Sequence, residues 1–326
     1  MVEDARQRFV ANWLIENGFD PASLVALGAD ASARRYFRLQ TPAGGRVVMD
    51  APDQVAVCEA YLRVRRLMEA AGVHVPAVDR ADAQAGVMVI EDLGGTDYLA
   101  ALRRGEPAEP LLDDALVALV RWQAATAPAV LPAYDADRLQ AELDLFPTWY
   151  VRQHLGLEPD TQWWAEWRSA CEGLILAATN QPQVAVHRDF MARNLLVSQP
   201  NPGVIDFQDA LVGPVTYDLV SLLRDAFFDF PPAAERAFIA RYEAAARAAG
   251  IALPDPLDEA IDLMGAQRHL KVLGIFARLA YRDDKPSYLD DAPRFLAYLA
   301  RELAPYPAYA GLRAMLDALP VKAARA

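Results

Sequence analysis

Between residues 187 and 206 two apolar stretches carry an ordered set of polar groups. His187, Arg188 and Asp189 come first, Asn194 follows, and Asp206 closes the segment Val204-Ile205. A carboxylate at the end of a buried strand costs desolvation free energy unless it has a partner. Two carboxylates and an amide oxygen suit a hard divalent cation, and magnesium takes oxygen ligands while keeping several waters. Phosphoryl transfer needs such an ion on the nucleotide phosphates, plus a group that positions the attacking hydroxyl. Asp189 is the candidate for the positioning group. It orients an acceptor hydroxyl and takes its proton as the phosphoryl group moves. Asn194 and Asp206 are the expected magnesium ligands. Asn201-Pro202-Gly203 is a turn signal, expected to lay the strand ending in Asp206 beside the one leading into His187, with Asp189, Asn194 and Asp206 at one rim.

The elements that must hold these residues fall into two groups. Residues 3–17 have helical periodicity through Phe9, Val10, Trp13 and Leu14. Residues 32–39 read as a strand, and Gly44-Gly45 as the turn of a hairpin returning through Val47-Val48-Met49. A helix over 53–70 and a buried strand at Val87–Ile90 complete a small α+β lobe over residues 1–92. Beyond Gly94-Gly95 the pattern turns helical, at 111–126, 136–154, 161–179, 232–249, 256–282 and 291–301, interrupted by short strands near 184–187 and 195–205. Residues 93–326 thus read as a larger, mainly helical lobe.

Composition narrows the function classes. A net charge of −12 without a lysine/arginine block argues against a nucleic-acid binder. Apolar runs break well before the length of a membrane span, and no basic-then-apolar leader opens the chain, so a cytoplasmic location is expected. Cys58 and Cys171 make no CxxC pair and suggest no disulfide framework. Lysine occurs only at 271, 285 and 322, so the first two-thirds of the chain offers none to any site.

The pattern His-x-Asp-x-x-x-x-Asn followed by Ile-Asp resembles the catalytic segments of the aminoglycoside phosphotransferase-like kinases. These are relatives of protein kinases that phosphorylate small molecules. Protein kinases use His-Arg-Asp and Asp-Phe-Gly. Here Gln208 stands where the glycine would be, which favours the small-molecule branch. The resemblance implies a bilobal, protein-kinase-like α+β fold, with a β-rich nucleotide lobe and a helical catalytic and acceptor lobe. It also implies ATP and Mg2+, bracing roles for Asp218 (in Gly213-Pro214-Val215-Thr216-Tyr217-Asp218) and His187, and adenine bonded to backbone near Glu91 and Leu93. The phosphate hairpin then falls at Gly28–Tyr36, with Ser32 and Ala33 admitting backbone N–H groups to an anion and Arg35 or Arg46 within reach. The strand lysine usual in such folds is absent: Val47-Val48-Met49-Asp50-Ala51-Pro52 stands at its place.

Longer segments, Ser32–Arg38, Val48–Pro52, Asp206–Ala210 and Gln267–Gly274, resemble the bacterial N-acetylmuramate/N-acetylglucosamine 1-kinases of cell-wall recycling over roughly residues 10–300. That implies a small amino sugar phosphorylated at its anomeric hydroxyl; separately, a monomer is expected. Candidate acceptor contacts are Glu142 with the nearby Phe146, Trp149 and Tyr150, and Gln208 and Asp209. Arg193, Arg268 or His269 would face a lactyl carboxylate. Against this stand kinases of aminoglycosides, choline or homoserine, which share the core chemistry, and a nucleotide-binding module without catalysis. The retained Asp189, Asn194 and Asp206 speak against the last.

Overall fold

The structure is a computed structural model and describes residues 5–27, 34–125 and 128–320. In chain order its elements are α1 (Ala5–Glu16), β1 (Val25–Ala26), β2 (Arg35–Thr41), β3 (Gly44–Asp50), α2 (Val55–Ala70), β4 (Val78–Asp82), β5 (Val87–Glu91), α3 (Tyr98–Arg103), α4 (Ala108–Ala125) and α5 (Ala136–Leu143). Then come α6 (Thr161–Thr179), β6 (Gln183–Val186), β7 (Leu195–Leu196), β8 (Gly203–Val204), β9 (Leu211–Pro214), α7 (Tyr217–Leu223), α8 (Pro232–Ala248), α9 (Leu257–Arg282), α10 (Ala292–Leu303) and α11 (Ala310–Asp317). Residues cluster into two compact units, one of Met1–Ala118 with Arg193–Asp209, the other of Leu119–Ala192 with Ala210–Ala326. Contacts thus group residues 93–118 and 193–209 with the N-terminal sheet, unlike the 1–92 and 93–326 division expected from pattern.

In the first unit the described residues form a five-stranded antiparallel sheet in the order β1-β2-β3-β5-β4. The hairpin register runs from Arg35↔Asp50 to Thr41↔Gly44. The turn is therefore Pro42-Ala43, and Gly44-Gly45 lies in β3, with Gly44 at φ 113. Strand residues alternate between faces. Phe37, Leu39, Val48, Val87 and Val89 meet Val10, Trp13 and Leu14 of α1 in one apolar cluster. The same face carries Asp50, fully buried, which accepts from Arg6 Nε at 2.8 Å and Arg35 Nη2 at 2.6 Å. A buried carboxylate requires such partners. Strand β4 has no apolar run; its Asp79, Arg80 and Asp82 suit a solvated edge strand and gave no strand signal in the sequence.

The segment 187–214 folds differently from the single hairpin expected. β7 does pair with β8, Leu195 opposite Val204. β6, which leads into His187, pairs instead with β9, Val186 opposite Leu211. Gly213-Pro214 reads as a turn in sequence, which hid β9. Gly213 lies so close to Tyr134 and Val186 that a Cβ there would come within 3.0 Å of each.

The second unit is built around α9, whose residues are mostly buried. The helix expected over 136–154 is interrupted: α5 ends at Leu143 and a π-helical segment, Phe146–His154, follows with Pro147 in its first turn. Proline lacks the N–H and crowds the preceding carbonyls, so a regular helix breaks there. α9 carries Gly274 against the break, where a Cβ would come 2.4 Å from the Leu145 carbonyl carbon. One end of the core holds a charged network. Arg224 donates to Glu235, Asp262 and Glu302, each at 2.8 Å, and His269 Nδ1 lies 2.9 Å from Glu302. Cys58 and Cys171 are buried free thiols. Among the described residues no helix is long and apolar enough to cross a membrane.

Candidate active site

In the second unit, β6 delivers His187 and the chain then turns through Arg188, whose φ is 78. A bulky residue in the left-handed region costs about 1–3 kcal/mol and persists only where its surroundings hold it. Asp218, in the first turn of α7, does the holding. Its buried carboxylate accepts the backbone N–H of His187 at 2.6 Å and of Arg188 at 2.9 Å. Burial pushes the Asp218 carboxyl up, and His187 with the two backbone donors offsets only part of that. The His187 ring, itself buried, accepts the Asp189 N–H at 3.3 Å. A second buried carboxylate, Asp225, accepts Ala192 N–H at 2.9 Å and Phe227 N–H at 2.7 Å. The turn from 187 to 192 is thus pinned at both ends, and Asp225 is a brace that sequence reading missed.

Charge is concentrated around Asp189. Burial alone would raise its carboxyl, but Arg268, Lys271 and Arg188, with a smaller contribution from His187, outweigh it and hold the group below the usual carboxylate range. Arg268 Nη1 lies 3.2 Å from the Tyr217 hydroxyl and 3.4 Å from the Arg188 carbonyl. Lys271 Nζ donates to the same Tyr217 hydroxyl at 3.0 Å and pairs with Glu142 at 3.0 Å. Glu142 also pairs with Arg188 and accepts from the Tyr134 hydroxyl. Burial would raise the Glu142 carboxyl, but Lys271, Arg188 and the Tyr134 bond bring it below its ordinary value. An ionised Asp189 fits a group that aligns a hydroxyl by accepting its hydrogen bond, and takes the proton as the oxygen loses it.

Sequence reading named Glu142 and Arg268 among the acceptor contacts, and both stand in this group. His269 does not. It follows Arg268 on a helix with 3.6 residues per turn, so it faces another way, into the Arg224–Glu302 network. Lys271, three positions from Arg268 and so on its face, was the residue to read. Phe146 and Tyr150 stack on each other at 5.5 Å and are buried in the helical core, with Trp149 partly buried against it.

The first unit carries the expected magnesium ligands, Asn194 and Asp206. Asn194 and Ile205 flank the β7–β8 pair, Ile205 N–H donating to the Asn194 carbonyl at 3.1 Å. Asp206 follows with φ 62. Its Oδ1 accepts from Gln208 Nε2 at 3.0 Å and pairs with Arg34 Nη2 at 3.3 Å. Gln208, in the glycine's place, also donates to the exposed Asp209 at 3.2 Å. Phe207 is buried and packs on Tyr61, ring centroids 4.7 Å apart. No group of three or more His, Cys, Asp or Glu side chains among the described residues could cage a metal. Magnesium does not require one, since one or two carboxylates plus substrate phosphates and waters suffice. The hard oxygens of Asn194 and the half-exposed Asp206 fit that demand.

Arg35 turns to Asp50 and Arg46 to Asp79, 2.5 Å away. The Glu91 side chain accepts the Ala77 N–H at 3.1 Å. Leu93 is buried, and a Cβ on Gly203 would meet it at 2.7 Å. Arg193 is half-buried in the short turn Ala192–Asn194. Ser32 and Ala33 lie outside the described residues.

The Asp218 brace has a measurable consequence. In Asp218→Asn the amide offers one acceptor to two backbone donors, so one buried N–H is left unmet, at a cost of about 1–3 kcal/mol. The turn loses its alignment, and a displacement near 1 Å costs on the order of 10²-fold in rate. Urea denaturation and steady-state kinetics on the purified variant check both.

Residues 23–253 match the phosphotransferase enzyme family. A Pseudomonas aeruginosa protein named N-acetylmuramate/N-acetylglucosamine kinase is 45% identical over 334 aligned residues, covering 98% of each chain. A Neisseria meningitidis protein of the same name is 44% identical over 322, covering 95% of each. In fold alone, the crystal structure of a Streptococcus pneumoniae choline kinase is similar, with a TM-score of 0.64 at 12% identity, over 90% of this chain and 99% of that one. With a family match over most of its length and relatives this similar from end to end, the chain belongs to the phosphotransferase enzyme family.

Proposed function

We propose that this protein is an ATP-dependent sugar kinase. It phosphorylates the anomeric hydroxyl of N-acetylmuramate and N-acetylglucosamine, as a cytoplasmic monomer. The observation that carries the reading is the surroundings of Asp189, where Arg188, Arg268 and Lys271 are set against Asp189 and Glu142. A polycationic aminoglycoside calls for an acceptor site lined by carboxylates. A site with a cationic excess suits a neutral amino sugar or one bearing a lactyl carboxylate. The curated relatives of matching length carry that substrate class in their names.

In the mechanism, Asp189 accepts a hydrogen bond from the anomeric hydroxyl and aims its oxygen at the γ-phosphorus of ATP. The new O–P bond forms as the bond to the ADP oxygen breaks, and the hydroxyl proton passes to Asp189. Asn194 and Asp206 would hold magnesium, which supplies neutralisation of phosphate charge. Asp218, Asp225 and His187 keep the turn in place. Adenine is bound by backbone near Glu91 and Leu93.

The test is transfer from ATP to a panel of N-acetylmuramate, N-acetylglucosamine, glucose, kanamycin, choline and homoserine, read by phosphorus NMR. Anomeric phosphate on the N-acetyl sugars is expected. Phosphate on another acceptor alone would sink the substrate assignment while keeping the chemistry.

A further inference from the structure

The absent strand lysine leaves open which group meets the nucleotide phosphates. Alternation along β3 puts Asp50 on the α1 face, occupied by Arg6 and Arg35. Met49 therefore points to the opposite face, directly across from Tyr36 of β2. Arg34, the residue before β2, pairs with Asp206, and the neighbouring Phe207 packs on Tyr61 of α2. A lysine serving in its usual role would have to stand at Met49, and methionine carries no charge.

Arg34 is placed to replace it. Arg34 stands just before β2 and turns to Asp206, whereas Arg35, the first residue of the strand, turns to Asp50 on the α1 face. The Arg34 guanidinium reaches Asp206 at 3.3 Å, with the arginine side chain 13% exposed and the aspartate 40%. The pairing links the strand to the metal aspartate, bringing positive charge to the position where a nucleotide's phosphates would meet Asp206. A guanidinium has five N–H donors in a planar fork, so it can serve the aspartate and a phosphate oxygen together, which an ammonium does less well.

We propose that Arg34 performs the phosphate clamp that β3 has lost, a role that rests on ATP being the phosphoryl donor. The charge has moved from the end of one strand to the entrance of its neighbour.

Titration calorimetry with ADP and with adenosine, each with magnesium and with EDTA, tests this on the full chain. Arg34→Ala is expected to weaken ADP binding by about 10- to 100-fold in both conditions and to leave adenosine affinity as in the wild type. Arg34→Lys keeps the charge without the fork and is expected to recover only part of the ADP affinity. A residue that merely orients Asp206 would matter only with magnesium present, so a loss confined to that condition overturns the clamp. Unchanged ADP binding in Arg34→Ala, or an equal loss of adenosine, overturns it as well. A wild-type protein that binds neither ligand would bring down the nucleotide reading itself, and Arg34's role with it.

Discussion

Asp189→Asn lowers the rate of phosphoryl transfer by about 10²- to 10⁴-fold, with ADP affinity as in the wild type. The amide keeps the shape and accepts a hydrogen bond, but it carries no charge and cannot take the proton. The same change removes the anion that Arg268, Lys271 and Arg188 surround. Because these cations hold the carboxyl below 3.8, its ionised form predominates above that value and is lost only as pH falls through the lower folded value. The wild-type rate is therefore flat with respect to Asp189 from mildly acidic to neutral pH. An acid limb near pH 6 that vanishes in Asp189→Asn would contradict this assignment. Single-turnover kinetics across pH, beside calorimetry with ADP, separate the chemical step from binding.

Glu302→Ala is the largest expected loss of stability. Glu302 is fully buried on α10, bonded to Arg224 and His269. Arg224 keeps Glu235 and Asp262, but one of its N–H groups and the His269 ring lose their buried acceptor, at about 1–3 kcal/mol for each unmet donor. Burial would raise the Glu302 carboxyl, but His269 and Arg224 bring it below its ordinary 4.5. Glu302's own contribution is therefore present above about pH 4.5 and is lost as pH falls through the lower folded value, whereas Asp262, whose carboxyl burial pushes up, contributes in the opposite sense. Urea denaturation should show a lower midpoint with an unchanged slope. Glu302→Gln should remove the part of the acid dependence that belongs to this group. A cost below about 1 kcal/mol, typical of exposed pairs, would contradict the account.

How much of this was legible before the structure depends on the range of each signal. Asp189, Asn194 and Asp206 share one short stretch, and their types and spacing point to chemistry without any tertiary knowledge. Glu142, Tyr217 and Lys271 come from α5, α7 and α9, and nothing in one segment announces the others. The same holds for Asp225, an ordinary-looking aspartate whose bracing bonds form only once α7 is placed. Alternation along β3 was readable, but which face is core depends on α1, so Asp50 and Met49 could not be told apart by pattern. The Arg268–Lys271 spacing was visible and was overlooked in favour of the adjacent His269. Helices were legible where their apolar stripe was long. The π-helical interruption was not, because Pro147 is compatible with a first helical turn and the apolar stripe continues past it.

The first unit's discontinuity sets an order of events on the ribosome. Domains commonly fold as units from the N-terminus during synthesis. Here the sheet of β1–β5 is complete at Glu91, yet Leu93 waits for Gly203 and Tyr61 for Phe207. Those partners emerge only after Leu119–Ala192, all of which belongs to the other unit. Until that stretch has emerged, Leu93 and Tyr61 lack these native neighbours. A gene split after Ala118 would yield a first fragment that lacks part of its own core.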